Sequence, residues 1–456
     1  MPKGRNRILI DFNELISMLE AEDCGCGRSH RAVTRRIYAE SGMISRVGEA
    51  MKDISFPHRV LVVTDRDSMP FALLAGKNMA GYEVSLTVLD GVECASEKEV
   101  RAIARELEKM PSAGLFAICD GASADVCRIA ALEKNVPLCV FSLCPTGFGF
   151  MTEYADIEKD GVIGRTAAKA PCAVLADTDV LSAFPMEKKA LALGALASVY
   201  PMLIDARTAA VMKNEVFCDK AEAMLRYAAD SAFEYAYAFS ADAEQSEAEE
   251  ASSAVFDSLI CAGLVLQMLS FDASEQSVSG FERYLLNHGA SGKNIHVSSL
   301  CGTCALRMLG FYRDLLILYA VKGQTESEKA SGTCGEECAE PNPLAGISRE
   351  DLEEKWDEVR NIIADMPAFD EIKGKMQTAG CATDFEELGI EEKNADEAFI
   401  AFPYTCASLT LVRLTKMIDF TKIYRSVEEI KEKETEENDG VEIDIPTSVK
   451  APGEKE

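Results

Sequence analysis

At 456 residues, with 48% apolar and 27% charged side chains, the chain is long enough to hold two domains with a sizeable buried core. Its formal charge of −29 speaks against nucleic acid and anionic membrane surfaces as partners, because no basic patch is present to release counterions. No apolar run reaches the ~18 residues of a membrane span, and the N-terminus MPKGRNRILIDFNELISM lacks a long apolar core, so neither a membrane partner nor a secretory signal is expected. Most of the 16 cysteines lie singly in apolar segments, such as Cys127, Cys139, Cys144, Cys172, Cys218 and Cys261, which reads as buried reduced thiols of a cytoplasmic protein.

Residues 24–30 read Cys-Gly-Cys-Gly-Arg-Ser-His. Two Cys and a His this close raise the question of a metal. A closed zinc site needs one further ligand, and C-x-C is not a common finger spacing, so the segment is expected to be structural without metal.

From Arg59 the pattern alternates. Val60–Thr64 reads as a buried strand, and Val84, Leu86 and Val88 as an alternating one. Ser96 and Glu99 have the spacing of a capping box ahead of a helix carrying Val100, Ile103, Ala104 and Leu107. Leu115–Cys119 and Pro137–Ser142 read as further strands, with a helix over Ala124–Leu132 between them. Strands alternating with helices predict a parallel sheet covered on both faces, a Rossmann-like nucleotide-binding α/β domain over residues 1–168. Ligands of such sheets bind beyond the carboxyl ends of the strands, here Thr64-Asp65, Cys119–Ala122 and Ser142–Phe150.

The stretch 169–204 changes the pattern. Cys172–Ala176 reads as one more buried strand, Asp177-Thr178-Asp179 as a cap, and the Ala- and Leu-rich run from Glu187 to Pro201 as a buried helix. The remainder is helical, over Ala221–Phe239 and Ala254–Leu269, with the acidic link Ala241–Ala251 expected as a solvated loop. A helical domain over 169–425 results, interrupted by a loop insertion at 324–346 that carries Cys334 and Cys338. Helix resumes at Ser348 with Asp351 as its cap partner and Leu352, Trp356, Val359 and Ile363 on one face. The acidic tail 426–456 is expected to be largely disordered. Cys301 and Cys304 form a C-x-x-C that would share one helix face and offers an alternative metal or redox site with His296.

Several segments, in order, resemble the iron-containing alcohol dehydrogenase superfamily, in particular its sn-glycerol-1-phosphate dehydrogenase-like members, over about residues 24–320. A similar Cys-x-Cys-Gly-x-x-His opens such chains. The resemblance implies a dehydroquinate synthase-like architecture, with an α/β nucleotide-binding domain facing an all-α domain across a cleft. It implies a divalent metal that polarises the ketone of dihydroxyacetone phosphate and NAD(P)H as the hydride donor. Asp65-Arg66-Asp67-Ser68 is similar to the family's Asp-x-Asn-Thr near the nucleotide. Cys119-Asp120-Gly121-Ala122 and Asp125 stand where the family has Gly-(Ser/Gly)-Gly-Thr and a later Asp. Asp120 is thus expected beside a diphosphate, which it would repel by ~4 kcal/mol at 4 Å in a medium of effective dielectric ~20. Pro145-Thr146-Gly147-Phe148 stands where the family has Pro-Ser-x-Asp, so Phe148 replaces the Asp that faces the substrate hydroxyls.

The family's metal ligands are an Asp and two His. By resemblance their positions here are Ala195, in Gly194-Ala195-Leu196; Arg283, in Ser279-Gly280-Phe281-Glu282-Arg283; and His296. Ala195 has no donor atom and Arg283 keeps its proton, leaving His296 alone. The expectation is therefore a family member with weak NAD(P) binding, a doubtful zinc or other divalent metal, and a binding or regulatory rather than catalytic role. The alternative is an active NAD(P)-dependent oxidoreductase with an altered metal site, acting on dihydroxyacetone phosphate or a related small polyol or ketone. A homo-oligomer is compatible with either.

Overall fold

A computed structural model describes residues 11–240, 243–268, 277–290, 295–318, 342–406 and 408–417. The tail 426–456 and most of the 324–346 insertion, including Cys334 and Cys338, lie outside the described residues.

The N-terminal part comprises α1 (Phe12–Leu19), β1 (Arg36–Glu40), α2 (Val47–Asp53), β2 (Arg59–Asp65), α3 (Met69–Lys77), β3 (Glu83–Leu89), α4 (Glu97–Glu108), β4 (Gly114–Ile118), α5 (Gly121–Glu133) and β5 (Leu138–Phe141). A hairpin of β6 (Tyr154–Lys159) and β7 (Val162–Ala167) and the strand β8 (Ala173–Asp177) come next. The six-stranded sheet has the order β1-β8-β5-β4-β2-β3 and every pairing in it is parallel. Strands β4, β5 and β8 are buried at every residue, which is why they read as unbroken apolar runs.

Four departures from the sequence reading have physical causes. First, β8, read with the helical segment 169–425, lies between β1 and β5 in the parallel sheet. Second, β3 is an edge strand, and Val84, Leu86 and Val88 stay 38%, 42% and 41% exposed, so one face of the sheet is not covered there. Third, β1 and the hairpin carry no apolar alternation, since their burial is mixed, and they gave no strand signal. Fourth, the Ser96 hydroxyl bonds the Glu99 carboxylate instead of capping a backbone amide, so a side-chain pair stands in place of the expected box.

The helical part begins with α6 (Thr178–Ala183), α7 (Met186–Ala190), α8 (Ala192–Ala197), α9 (Val199–Lys213), α10 (Asp219–Glu234), α11 (Gln245–Met268), α12 (Ser277–Tyr284) and α13 (Val297–Leu318). It continues through α14 (Arg349–Ala364), α15 (Phe369–Thr378) and α16 (Glu392–Ala401). Asp177 caps α6 by accepting the Asp179 amide at 3.0 Å, and Ser348 with Asp351 forms a complete capping box on α14. Pro201 falls in the first turn of α9, where its missing N–H costs nothing, so the helical run continues to Lys213. The acidic link is only partly loop, because α11 starts at Gln245.

Two helical runs, Met186–Lys213 and Gln245–Met268, are long and apolar enough to cross a membrane. Both are core helices of this fold, with 89% and 94% of their apolar windows buried in the protein.

Candidate functional site

The carboxyl ends of the strands, where the expected cleft would lie, meet the helices of the α-domain. At the end of β2, the Asp65 carboxylate accepts the Ser68 amide at 2.8 Å and so starts α3. At the end of β4, Asp120 occupies the position before α5. Its carboxylate does not face outward, as repulsion of a diphosphate would require. It accepts the Ser142 hydroxyl at 2.8 Å and the amides of Leu143 and Cys144 at 3.2 and 2.8 Å. Asp120 is thus a clamp between the ends of β4 and β5. Burial raises its pKa, and these three bonds oppose the rise.

Gly121 has φ +58, and a Cβ there would meet nothing within 4 Å, so the N-terminus of α5 stays open beside half-buried Ala122. Such an end is suited to an anion. Asp125 is drawn to structure as well. It pairs at 2.5 Å with Arg128, a fully buried residue that also donates to the carbonyls of Thr152 and Tyr154.

The loop after β5 closes on the helical domain. Pro145 is buried, and the Ser298 hydroxyl donates to Thr146 Oγ1 at 3.0 Å. An ideal Cβ at Gly147 would lie 3.6 Å from the Ala195 methyl. Phe148 is half-buried against the main apolar core. Below this loop, α8 and α13 touch through their backbones. A Cβ on Gly194 would lie 2.1 Å from the Ser298 carbonyl oxygen, and one on Gly302 would lie 2.7 Å from Gly194 Cα.

The three positions that the resemblance assigns to the metal, Ala195, Arg283 and His296, do not form a group of metal donors. Ala195 is 6% exposed and presents a methyl group to Gly147. Arg283 reaches to Asp156 of β6, at 3.6 Å, and Asp156 also pairs with Arg165 at 3.1 Å. His296 precedes α13, and its Nδ1 accepts the Ser298 amide at 3.2 Å. That bond places the neutral ring's proton on Nε2 and leaves no lone pair free for a metal. Crowding by protein and the charge of Lys188 lower the His296 pKa, which favours this neutral ring. At the positions the resemblance assigns, the residues present therefore do not fit a catalytic divalent metal. Cys301 and Cys304 sit on α13, and burial raises both thiols well above their ordinary range. They do not form a metal-type group with His296. Among the described residues, the group of Cys, His and acidic donors whose ligand atoms all lie close together is elsewhere, at Cys24, Cys26, His30 and Cys218.

Several cleft residues carried no sequence signal. Lys188 acts electrostatically on Asp120, Cys144 and His296 and lies 4.6 Å over the Phe184 ring. Buried Lys189 donates to the Ser182 carbonyl at 3.1 Å. Glu282 is 7% exposed, and burial, with Asp156 adding, pushes its carboxyl up to about 8 despite Arg165 and Arg283. None of these sits in a recognisable spacing.

Residues 38–185 match the family model described as iron-containing alcohol dehydrogenase. Among solved structures, maleylacetate reductase from Rhizobium sp. strain MTP-10005 superposes with a TM-score of 0.58 at 13% identity, covering 88% of this chain and 97% of that one. Glycerol dehydrogenase from Schizosaccharomyces pombe gives 0.55 at 12%, covering 88% and 90%. Over residues 38–185 the chain is thus similar to the iron-containing alcohol dehydrogenases. It is also similar to glycerol-1-phosphate dehydrogenase [NAD(P)+] from Methanothrix thermoacetophila, with 25% identity over 284 residues, covering 60% of this chain and 76% of that enzyme. The corresponding enzyme from Methanosarcina barkeri is 26% identical over 263 residues, covering 56% and 69%.

Proposed function

We propose that this chain is a non-catalytic member of its oxidoreductase family, one that keeps the cleft as a site for a small anionic ligand and serves a binding or regulatory role. The observation that carries the reading is the state of the three ligand positions: a methyl group packed toward Gly147, an Arg ion-paired to Asp156, and an imidazole whose Nδ1 is already bonded. Reduction of a ketone in this family relies on a Lewis acid at that point, and no side chain here supplies one. The open α5 N-terminus and Lys188 support retention of anion binding. NAD(P)H affinity is expected to be weak, with a dissociation constant of about 1 mM or above, because Cys119-Asp120 replaces the small residues expected at the turn that would hold the diphosphate.

The test is turnover. Untagged protein is mixed with NADH or NADPH and dihydroxyacetone phosphate, with and without added zinc, iron or nickel. Nucleotide oxidation at the background rate in every mixture is expected. Metal-dependent oxidation above it overturns the reading in favour of an active polyol-phosphate dehydrogenase. That second reading draws on the similarity to glycerol-1-phosphate dehydrogenase over 76% of the Methanothrix enzyme.

A further inference from the structure

Outside the cleft, one cluster of side chains has the composition and the dimensions of a metal centre. The ligand atoms of Cys24, Cys26, His30 and Cys218 all lie within 4.8 Å of one another. Cys24 Sγ is 3.8 Å from Cys218 Sγ, Cys218 Sγ is 3.5 Å from His30 Nε2, and Cys26 Sγ is 3.2 Å from the same nitrogen. A tetrahedral zinc with Zn–S of about 2.3 Å and Zn–N of about 2.0–2.1 Å separates its ligands by about 3.8 Å for S···S and about 3.5 Å for S···N. The side chains already hold close to that spacing.

The backbone is arranged for the same purpose. Ala21 and His30 form an antiparallel bridge, with N···O distances of 3.1 and 2.7 Å, that closes residues 22–29 into a loop. Within it, the Gly27 amide donates to the Cys24 carbonyl at 2.8 Å, and Gly27 has φ +78, a conformation a side chain would strain. The tight turn brings both sulfurs to one side. His30 is 4% exposed, and its Nδ1 lies 2.9 Å from the Met268 carbonyl oxygen. A carbonyl only accepts, so Nδ1 carries the proton and the Nε2 lone pair points at the sulfurs. This is how protein zinc sites orient a ligating imidazole. The fourth donor arrives from far along the chain. Cys218 is buried and directly precedes α10.

We propose that Cys24, Cys26, His30 and Cys218 bind one zinc ion as a closed structural site. Four protein donors leave no open position for substrate, so the site does no chemistry on a ligand. It fastens the N-terminal loop to the start of α10 and, through His30, to the end of α11. Cys24 and Cys218 are 194 residues apart, so the ion closes a very long loop and restricts the unfolded chain accordingly. The site is independent of the reading of the cleft, since it shares no residue with it.

The experiment is elemental analysis of the full chain, purified untagged under reducing conditions, paired with cobalt(II) substitution. About one zinc per chain is expected, and the cobalt form should show the intense visible bands and thiolate charge transfer of a tetrahedral sulfur-rich site. Cys26→Ser and His30→Ala should lose the metal, His30→Cys should keep it, and Cys301→Ser should keep it. If the first two variants fail to fold, the wild-type stoichiometry and the cobalt spectrum still decide. A metal-free wild type that also takes up no added zinc overturns the proposal. So does a Cys24–Cys218 disulfide found by mass spectrometry in reduced-handled protein, or zinc retained by both His30→Ala and Cys26→Ser.

Discussion

His296 in the cleft and His30 near the N-terminus are held in opposite ways. His296 uses Nδ1 as an acceptor for the Ser298 amide, which puts its proton on Nε2. His30 uses Nδ1 as a donor to the Met268 carbonyl, which frees Nε2 toward three sulfurs. The neighbours differ in the same sense. Ala195 and Arg283, which the resemblance groups with His296, present a methyl group and an ion-paired guanidinium, whereas His30 has three thiols at ligand spacing. A family resemblance thus locates a site, while the hydrogen bond on the far side of each ring decides whether that site can hold a metal.

The two histidine sites should differ most in thermal stability. Cys218→Ser should lower Tm by on the order of 10 °C, since it removes a ligand of a folding-coupled ion. His296→Ala should cost no more than ~1 kcal/mol, the worth of a helix cap. Differential scanning calorimetry on the two variants reads the difference, and equal losses would erase the contrast between the sites.

Glycines give the next test. Gly194→Ala would drive a Cβ to 2.1 Å from the Ser298 carbonyl, so α8 and α13 must separate, at ~1–3 kcal/mol or more. Gly25→Ala in the N-terminal loop meets nothing within 4 Å and should leave the urea midpoint almost unchanged. A tolerated Gly194→Ala would mean that the cleft has room to open and accept a metal.

A smaller and more specific effect concerns Glu282. Burial pushes its carboxyl from the ordinary 4.5 up to about 8, so the folded state holds a proton that the unfolded state releases earlier. The folded protein therefore binds more protons between pH ~4.5 and ~8, and this group's contribution to stability falls as pH rises through that window. Glu282→Gln should remove the fall, by at most ~1.4 kcal/mol per pH unit. Urea midpoints taken across the window would then diverge between variant and wild type. Parallel curves would show that Glu282 is ionised and paired, and so available to a cation in the cleft.

Much of the fold was legible because burial leaves a local trace. Strands such as β4 and β8 are enclosed on both faces and read as apolar runs, and α14 announces itself through Ser348, Asp351 and the stripe at Leu352, Trp356 and Val359. The hairpin β6–β7 left no such trace, because its anchors are ionic, Asp156 to Arg165 and Arg283. The same limit applies to sites. The C-x-C-x-x-x-H segment lacked a fourth ligand only because Cys218 lies 188 residues beyond His30. No spacing rule spans that distance. Asp120 shows a related limit: the sequence places it at the turn, but only the fold shows its carboxylate engaged by Ser142, Leu143 and Cys144.

If the metal of this chain belongs to the N-terminal loop and not to the cleft, its coordination shell must be rich in sulfur. Zinc-edge X-ray absorption on the protein as purified reads that shell. Three sulfurs at about 2.3 Å and one nitrogen at about 2.0–2.1 Å are expected. A shell of oxygen and nitrogen alone would place the ion in the cleft and refute the N-terminal site.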